Sequence, residues 1–305
     1  MTNGKGTFII RRAAIAGAVA LLLGGGDVFA ARNCVSNTGK GRSARIKSLK
    51  AVALTADGRL LCFPTNSAGK AEVVGTVSGL AGADSALIGI DFRVQDGALY
   101  GVGNAGGVYT IDPTSGQATF VNQLSVALDP LATSFAMDFN PAADRLRILS
   151  DTGQNLRHNV NAGGVTLSDA PLTIMAGANA VTATGVTAAA YTNNDLAAAT
   201  GTTLYDVATL QDQVVVQSPP NGIPGGVAAN LVPSGSLGVD AGLAAGLDIY
   251  SVVVNGVAAD NLGFGVLNVG GASGFYGVNF QTGQATLLDL FTDRVVDVAL
   301  PLGQN

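Results

Sequence analysis

The stretch that decides the fold is residues 87–121, LIGIDFRVQDGALYGVGNAGGVYTIDPTSGQATFV. It contains four short apolar runs, each separated from the next by Gly, Asp or Asn residues typical of tight turns. The runs are LIGIDF at 87–92, LYGV at 99–102, VYTI at 108–111 and ATFV at 118–121. This pattern predicts a unit of four antiparallel strands.

The first run of this unit returns along the chain. The recurrences place an anchor residue at intervals of 47, 52, 50 and 57 residues, at Asp91, Asp138, Ala190, Asp240 and Asp297. Later parts of the unit also return, as GFYGV at 274–278 and QATL at 284–287. Four-stranded units repeated about every 50 residues are typical of a β-propeller, whereas solenoids usually have shorter periods.

The first and last strand-like runs of the pattern together supply the strands of one blade. The run at 295–300 has almost no chain after it, while residues 49–77 contain three strand-like runs with no anchor before them. The C-terminal strand is therefore expected to be the innermost strand of a blade completed by the N-terminal segment, which would close the ring. We predict an all-β propeller of five four-stranded blades, or six if the Gly-rich stretch 221–270 contains a further unit.

Composition agrees with an all-β chain and excludes some functions. Of the 21 acidic residues, 20 are Asp and only Glu72 is Glu, a bias towards turns rather than helices. Residues 51–305 contain seven Lys or Arg and 20 acidic residues, a net charge of −13. A body this acidic repels phosphate backbones, so we expect no nucleic-acid partner.

The N-terminus has the features of an export signal. Lys5, Arg11 and Arg12 precede an apolar run at 13–26, and small residues end at Ala30. We predict a signal peptide at 1–30, a basic tail at 31–47 and the propeller at 48–305. Export by the general or the twin-arginine route fits, an uncleaved anchor being the alternative. After signal removal we expect no transmembrane segment and a periplasmic or extracellular location.

The chain has two cysteines, Cys34 and Cys62. An oxidising compartment favours a disulfide between them, which would attach the basic tail to the first strands. The alternative is that Cys62, between Leu61 and Phe63, is simply buried. With a single histidine in the chain, a cysteine-based metal site is disfavoured.

Several motifs resemble those of a secreted bacterial family, domain of unknown function 4394. They are Gly89-Ile-Asp-Phe-Arg93, Leu99-Tyr-Gly-Val102, Asp138-Phe-Asn-Pro141, Asp144-Arg-Leu-Arg147, Asn155-Leu-Arg157 and Gly238-Val-Asp240. The resemblance spans about residues 48–300. It implies an exported, β-propeller-like domain and provides no catalytic residues.

The repeated aspartates are the main candidate site. If Asp91, Asp138, Asp240 and Asp297 line the central channel, their charges repel one another, and a bound cation or an arginine would relieve the repulsion. Ca²⁺ fits because it takes oxygen ligands. The alternative is that each aspartate accepts backbone N–H bonds and ties adjacent blades together, with Ile90 and Phe92 facing the core.

Two further residues are candidates at the channel, Arg93 and Asn140. Arg93 belongs with Arg145, Arg147 and Arg157 to a cluster that could bind an anionic group at the channel mouth, or pair with Asp138, Asp144 or Asp151 between blades. We interpret His158, the single histidine, as a surface strand residue, since the chain has no Gly-x-Ser-x-Gly motif for a catalytic serine.

Three function classes remain open. The first is a non-catalytic binding module for a protein or a small molecule, stabilised by a cation. The second is a structural protein of the envelope or matrix. The third is a hydrolase using channel aspartates, which the single Glu and the absence of Trp disfavour. The sequence favours the binding module over an enzyme and leaves the oligomeric state open.

Overall fold

The computed structural model describes residue 1, residue 34 and residues 49–217 and 229–303. Within these ranges the chain forms 22 strands and one short 3-10 turn at Ala68–Lys70. The strands make five sheets, and each sheet contains a meander of four antiparallel strands. The prediction of an all-β fold is confirmed. The predicted signal peptide and basic tail lie outside the described residues, apart from Met1 and Cys34.

Blade 1 joins the two ends of the described chain. Its order from the axis outwards is β22 (Val295–Ala299), β1 (Lys50–Thr55), β2 (Arg59–Pro64) and β3 (Glu72–Thr76). The C-terminal strand β22 pairs antiparallel with β1, with Val52 opposite Ala299 and Leu54 opposite Asp297. The prediction that the C-terminal strand closes the ring is confirmed.

Blades 2, 3 and 5 are formed by consecutive strands. Blade 2 contains β4 (Leu87–Phe92), β5 (Leu99–Gly103), β6 (Gly107–Ile111) and β7 (Ala118–Gln123). Blade 3 contains β8 (Phe135–Asn140), β9 (Arg145–Ser150), β10 (Asn155–His158) and β11 (Thr166–Ser168). Blade 5 contains β18 (Ala245–Val254), β19 (Val257–Val269), β20 (Ala272–Val278) and β21 (Ala285–Leu290).

Blade 4 carries an additional hairpin. Its four strands are β14 (Val186–Tyr191), β15 (Leu204–Ala208), β16 (Gln213–Val216) and β17 (Asn230–Ser236). The preceding hairpin, β12 (Thr173–Ala176) and β13 (Asn179–Thr182), joins the outer edge of this sheet because β12 pairs in parallel with β17. The Gly-rich stretch thus contributes to blades 4 and 5, and the ring has five blades rather than six.

The innermost strands contact one another in a closed order, β22 to β4 to β8 to β14 to β18 and back to β22. Side chains alternate along each of these strands between the two neighbouring seams. The buried apolar residues accordingly form five clusters, one in each seam between adjacent blades. The seam between blades 5 and 1, for example, packs Phe63 edge-on against Phe275, with ring centroids 4.9 Å apart.

The two cysteines form a disulfide, as predicted. Cys34 and Cys62 have Cα atoms 5.8 Å apart, and Cys34 is fully buried in the cluster between blades 1 and 2. The bridge attaches Cys34 to β2, the middle of the blade that closes the ring.

Candidate metal centre at the channel axis

Four innermost strands place an aspartate at the same level of the ring. Asp297 lies on β22, Asp91 on β4, Asp138 on β8 and Asp248 on β18. In β4, β8 and β18 the residues on either side of the aspartate face the preceding seam, as Ile90 and Phe92 do in the cluster between blades 1 and 2. Each aspartate therefore faces the following blade.

Each of the four carboxylates accepts a hydrogen bond from a backbone N–H of the next blade around the ring. Oδ2 of Asp297 accepts the Ile90 N–H of blade 2 at 2.8 Å, and Oδ2 of Asp91 accepts the Phe139 N–H of blade 3 at 2.7 Å. The next two contacts connect Asp138 to the Tyr191 N–H of blade 4 and Asp248 to the Leu300 N–H of blade 1. The aspartates thus fasten adjacent blades, which was one of the two sequence-based hypotheses.

Blade 4 makes its contact differently because Ala190 stands at the aspartate position. The turn after β14 supplies the replacement: Asn194 donates its Nδ2–H to the Ile249 carbonyl at 2.8 Å, and its backbone N–H binds the Ser251 hydroxyl at 2.8 Å. A side chain therefore forms hydrogen bonds across each of the five seams, and it is a carboxylate at four of them.

Three of the four carboxylates converge on the axis. One oxygen each of Asp91, Asp138 and Asp248 lies within 4.8 Å of the other two. Ca²⁺ binds carboxylate oxygens at about 2.4 Å, so two ligands on opposite sides of the ion are about 4.8 Å apart. The spacing therefore fits ligands of a single Ca²⁺ ion, with further oxygen ligands needed to complete its shell.

These side chains are almost completely withdrawn from bulk solvent. Asp91, Asp138, Asp248 and Asp297 are 6%, 2%, 3% and 8% exposed. Burial raises the pKa of Asp248 to about 7 and that of Asp297 to about 8, against the backbone N–H bonds that favour ionisation. Burial also raises the pKa of Asp91 and of Asp138 well above the usual value, and the neighbouring carboxylates add to the effect.

The arginines in the described part of the chain do not neutralise this cluster. The ion pairs of Arg59, Arg93, Arg147 and Arg157 in the described part of the chain are made with other carboxylates: Asp57, Asp96, Asp144, Asp169 and Asp293. The sequence suggested two ways in which the repulsion could be relieved, a bound cation or an arginine partner. The hypothesis of an arginine partner is therefore wrong. A bound cation or protonation of the carboxyl groups remains.

Glycine two positions before the aspartate lets the inner strands approach closely. A Cβ at Gly246 would lie 2.4 Å from Asp297 Oδ1 and 2.6 Å from its Cα. A Cβ at Gly89 would lie 2.6 Å from the Met137 side chain and 3.0 Å from Asp297 Oδ2. The glycines that precede Asp91 and Asp248 are therefore packing requirements of the axis, whereas Ala136 and Val295 stand at this position before Asp138 and Asp297.

Asp240 does not belong to this cluster, and its predicted place on an innermost strand is wrong. It is exposed, in the loop between β17 and β18. The sequence Gly238-Val-Asp240 resembles the anchor, but Gly238 has a positive φ of 75° that interrupts an extended strand. The true anchor is Asp248, in Gly246-Leu-Asp248-Ile, which matches Gly89-Ile-Asp91-Phe. Because Asp240 also follows Gly-x, the signal that separates the two is the apolar run at 249–254 that continues the strand after Asp248.

Arg93 and Asn140 lie between blades or at a turn, and neither side chain contributes to the axial cluster. Arg93 crosses the seam between blades 2 and 3 to Asp144, with Nη2 2.6 Å from Oδ2, so the predicted pairing with Asp144 is confirmed. Asn140 accepts the N–H groups of Ala142 and Ala143 at 3.0 and 2.8 Å and caps the turn after β8. Their predicted position in the channel is wrong. Arg93 lies beyond the end of β4, and the side chain of Asn140 is held by its hydrogen bonds to the turn after β8.

His158 is buried rather than a surface residue. Its Nδ1 is 3.0 Å from the Thr166 hydroxyl, and its Nε2 is 2.9 Å from the amide oxygen of Asn122 on blade 2. Burial, with a smaller effect of the Arg145 charge, lowers its pKa to about 4. The imidazole is therefore a neutral connector between blades 2 and 3.

The match to a protein family is extensive. The family Domain of unknown function (DUF4394) matches residues 59–299, which include all four axial aspartates. The chain belongs to this family. Among curated proteins, none matches the chain.

Comparison with solved structures gives only distant similarity. The chain of the nidogen/laminin complex is 9% identical, with coverage of 85% of this chain and 100% of that chain and a TM-score of 0.43. Hydrazine synthase of Kuenenia stuttgartiensis is 10% identical over 72% of this DUF4394 chain and 51% of that chain, with a TM-score of 0.38. The Malassezia sympodialis allergen Mala s 1 is 10% identical over 76% of this chain and 66% of that chain, with a TM-score of 0.38. The DUF4394 chain thus spans about half of the hydrazine synthase chain.

The described residues contain no helix with the length and apolar character needed to cross a bilayer.

Proposed function

We propose that this protein is an exported, non-catalytic binding module whose ring of axial carboxylates binds a divalent cation, with Ca²⁺ the best fit. The observation that carries the proposal is the convergence of Asp91, Asp138 and Asp248 within 4.8 Å. Within the described residues no arginine pairs with these four buried carboxyl groups, so their ionisation makes a strongly negative centre, which a divalent ion would neutralise.

Export is supported by the disulfide and by the signal-like N-terminus. Disulfides persist in oxidising compartments and are rare in the cytosol. The bridge between Cys34 and Cys62 attaches residue 34, shortly after the proposed cleavage point, to the propeller. The protein is therefore proposed to act in the periplasm or outside the cell.

A binding role agrees better with the site than hydrolysis does. Glycosidases place two carboxyl groups on either side of a sugar ring. The axial aspartates are between 2% and 8% exposed, and their oxygens accept backbone N–H bonds between blades. Such side chains suit a small ion held within the ring and not a sugar. The loops at the two ends of the propeller are then the surface available to a protein or small-molecule partner.

Calcium is expected to stabilise the fold. At pH 7.5 and a Ca²⁺ concentration 100 times the dissociation constant, binding raises the free energy of unfolding by about 2.7 kcal/mol. For a domain of this size the melting temperature rises by about 5–10 °C relative to EDTA. Thermal melts followed by far-UV circular dichroism measure the shift.

Two variants separate axial binding from weak surface binding. Asp248→Asn removes an axial charge and is expected to abolish most of the Ca²⁺ shift. Asp240→Asn removes an exposed loop charge from the adjoining segment and should keep the whole shift. Equal shifts in the two variants would contradict an axial site, and the absence of any shift in the unsubstituted protein would reject cation binding.

A further inference from the structure

A second buried carboxylate, Asp206, lies away from the axial ring, in the seam between blades 3 and 4. It is fully buried on β15, opposite Ala189 of β14 and Val215 of β16. Both of its oxygens lack a hydrogen-bond donor in the described part of the chain. An unsatisfied buried carboxyl group is costly, so the fold is expected to offer it a partner in some state.

The cation whose charge acts on Asp206 is Arg147, and it binds other groups. Arg147 on β9 faces the same seam, where Nη1 is 2.6 Å from both Asp169 Oδ2 and Asn155 Oδ1. Its Nε–H donates to the Tyr191 hydroxyl at 3.2 Å. Arg147 is 4% exposed, so its charge requires a carboxylate nearby.

Asp169 binds two guanidinium groups, although a single one would balance its charge. Arg157 also binds it, through Nε at 2.6 Å and Nη2 at 2.8 Å. Two guanidinium groups therefore share one carboxylate, while the other carboxyl group in the same seam has neither. With Asp206 ionised, two arginines and two carboxylates would balance. With Asp206 neutral, the cluster carries one excess positive charge.

We infer that Asp169 and Asp206 compete for Arg147, and that loss of a proton from Asp206 moves the Arg147 guanidinium from one carboxylate to the other. The proton leaves Asp206 for solvent, Arg147 stays charged throughout, and Arg157 keeps its two bonds to Asp169. The movement changes the Arg147 contact with Tyr191, whose N–H donates to the axial Asp138. The seam between blades 3 and 4 is thus a proton-linked element beside the axis.

The groups that face Asp206 determine the direction of the response. The charged or titratable side chains directed into this seam are Arg147, Arg157, Asp169, Tyr191 and, at its axial end, Asp138. Burial holds the pKa of Asp206 well above its usual value, and the Arg147 charge acts in the opposite sense. Proton release therefore occurs above the range of ordinary surface aspartates.

The experiment is a carbon-13 NMR titration of the aspartate carboxyl groups of the full chain in EDTA, with Asp206 assigned through its backbone and confirmed in Asp206→Asn. In Asp169→Asn the competing carboxylate is gone, so the midpoint of Asp206 is expected to fall by about 1–3 pH units as Arg147 becomes its partner. In Arg147→Gln the midpoint rises instead. Asp144→Asn frees an arginine of the adjacent seam and should leave the midpoint unchanged.

Two results would overturn the inference. One is an Asp206 midpoint that is the same in Asp169→Asn as in the unsubstituted protein, which would show that the carboxylates do not compete. The other is an Asp206 that stays protonated up to pH 10 in both proteins. Because the backbone assignment does not depend on Asp206→Asn, a folding defect of that variant leaves the test intact.

Discussion

In EDTA, the free energy of unfolding is expected to fall as the pH rises from 6.5 to 8.5. Burial raises the folded-state pKa of Asp248 to about 7 and that of Asp297 to about 8, while both groups ionise near 4 when unfolded. Between these values the folded protein holds protons that the unfolded chain has lost. The contribution of these two groups to stability is therefore largest at acid pH and is lost as the pH rises through the folded-state pKa values.

Measuring above pH 6.5 separates the effect of the axial carboxyl groups on stability from that of His158 titration. His158 has a folded-state pKa of about 4, so its own opposing contribution grows only between pH 4 and about 6.5. Each proton held only by the folded state lowers the free energy of unfolding by about 1.4 kcal/mol per pH unit. Over the window the loss is expected to be about 1–3 kcal/mol.

Urea unfolding followed by far-UV circular dichroism measures this dependence, since the chain has no Trp to report by fluorescence. The double variant Asp248→Asn/Asp297→Asn should depend less on pH over the same window, the remainder coming from Asp91, Asp138 and Asp206, whose pKa values burial also raises. Asp240→Asn should behave as the unsubstituted protein does. A free energy of unfolding that stays constant or rises with pH would show that the axial carboxylates are already ionised in the folded state.

Removal of the disulfide is the second large effect. The bridge from Cys34 to Cys62 spans 28 residues, and a loop of this length is worth about 3–4 kcal/mol in the chain-entropy model. Because Cys34 is also buried among apolar residues of blades 1 and 2, its release removes packing as well. We expect Cys34→Ser/Cys62→Ser to lower the melting temperature by about 10 °C.

A reducing agent provides the control for this variant. Reduction should lower the melting temperature of the unsubstituted protein by a similar amount and leave the double serine variant unchanged. If the variant melts at the same temperature as the oxidised protein, residue 34 is not a stabilising part of the propeller.

Much of the fold could be predicted because local signals repeat. Four apolar runs between turn residues define a blade, and their recurrence about every 50 residues defines a ring. The strand at Val295–Ala299, which had no partners after it, correctly indicated closure with the N-terminal strands. The disulfide followed from two cysteines in a chain with signal-like features.

The errors arose where a repeat is irregular. Blade 4 has an extra hairpin and an alanine at the anchor, so the spacing that fitted earlier units selected Asp240 instead of Asp248. The aspartates and arginines were recognised as important types, but their partners depend on which seam each side chain faces. Whether Arg93 reaches the axis or Asp144 is decided by strand ends and tertiary packing, which the sequence pattern does not contain.

We expect the axial carboxylates to exchange protons for one divalent cation. Calorimetric titration with Ca²⁺ at pH 7.5, in two buffers of different ionisation enthalpy, tests it most directly because it counts both ions and protons. We expect one Ca²⁺ per chain, proton release on binding, and loss of binding in Asp248→Asn but not in Asp240→Asn. Binding that survives in Asp248→Asn, or no binding at all to the unsubstituted protein, would contradict it.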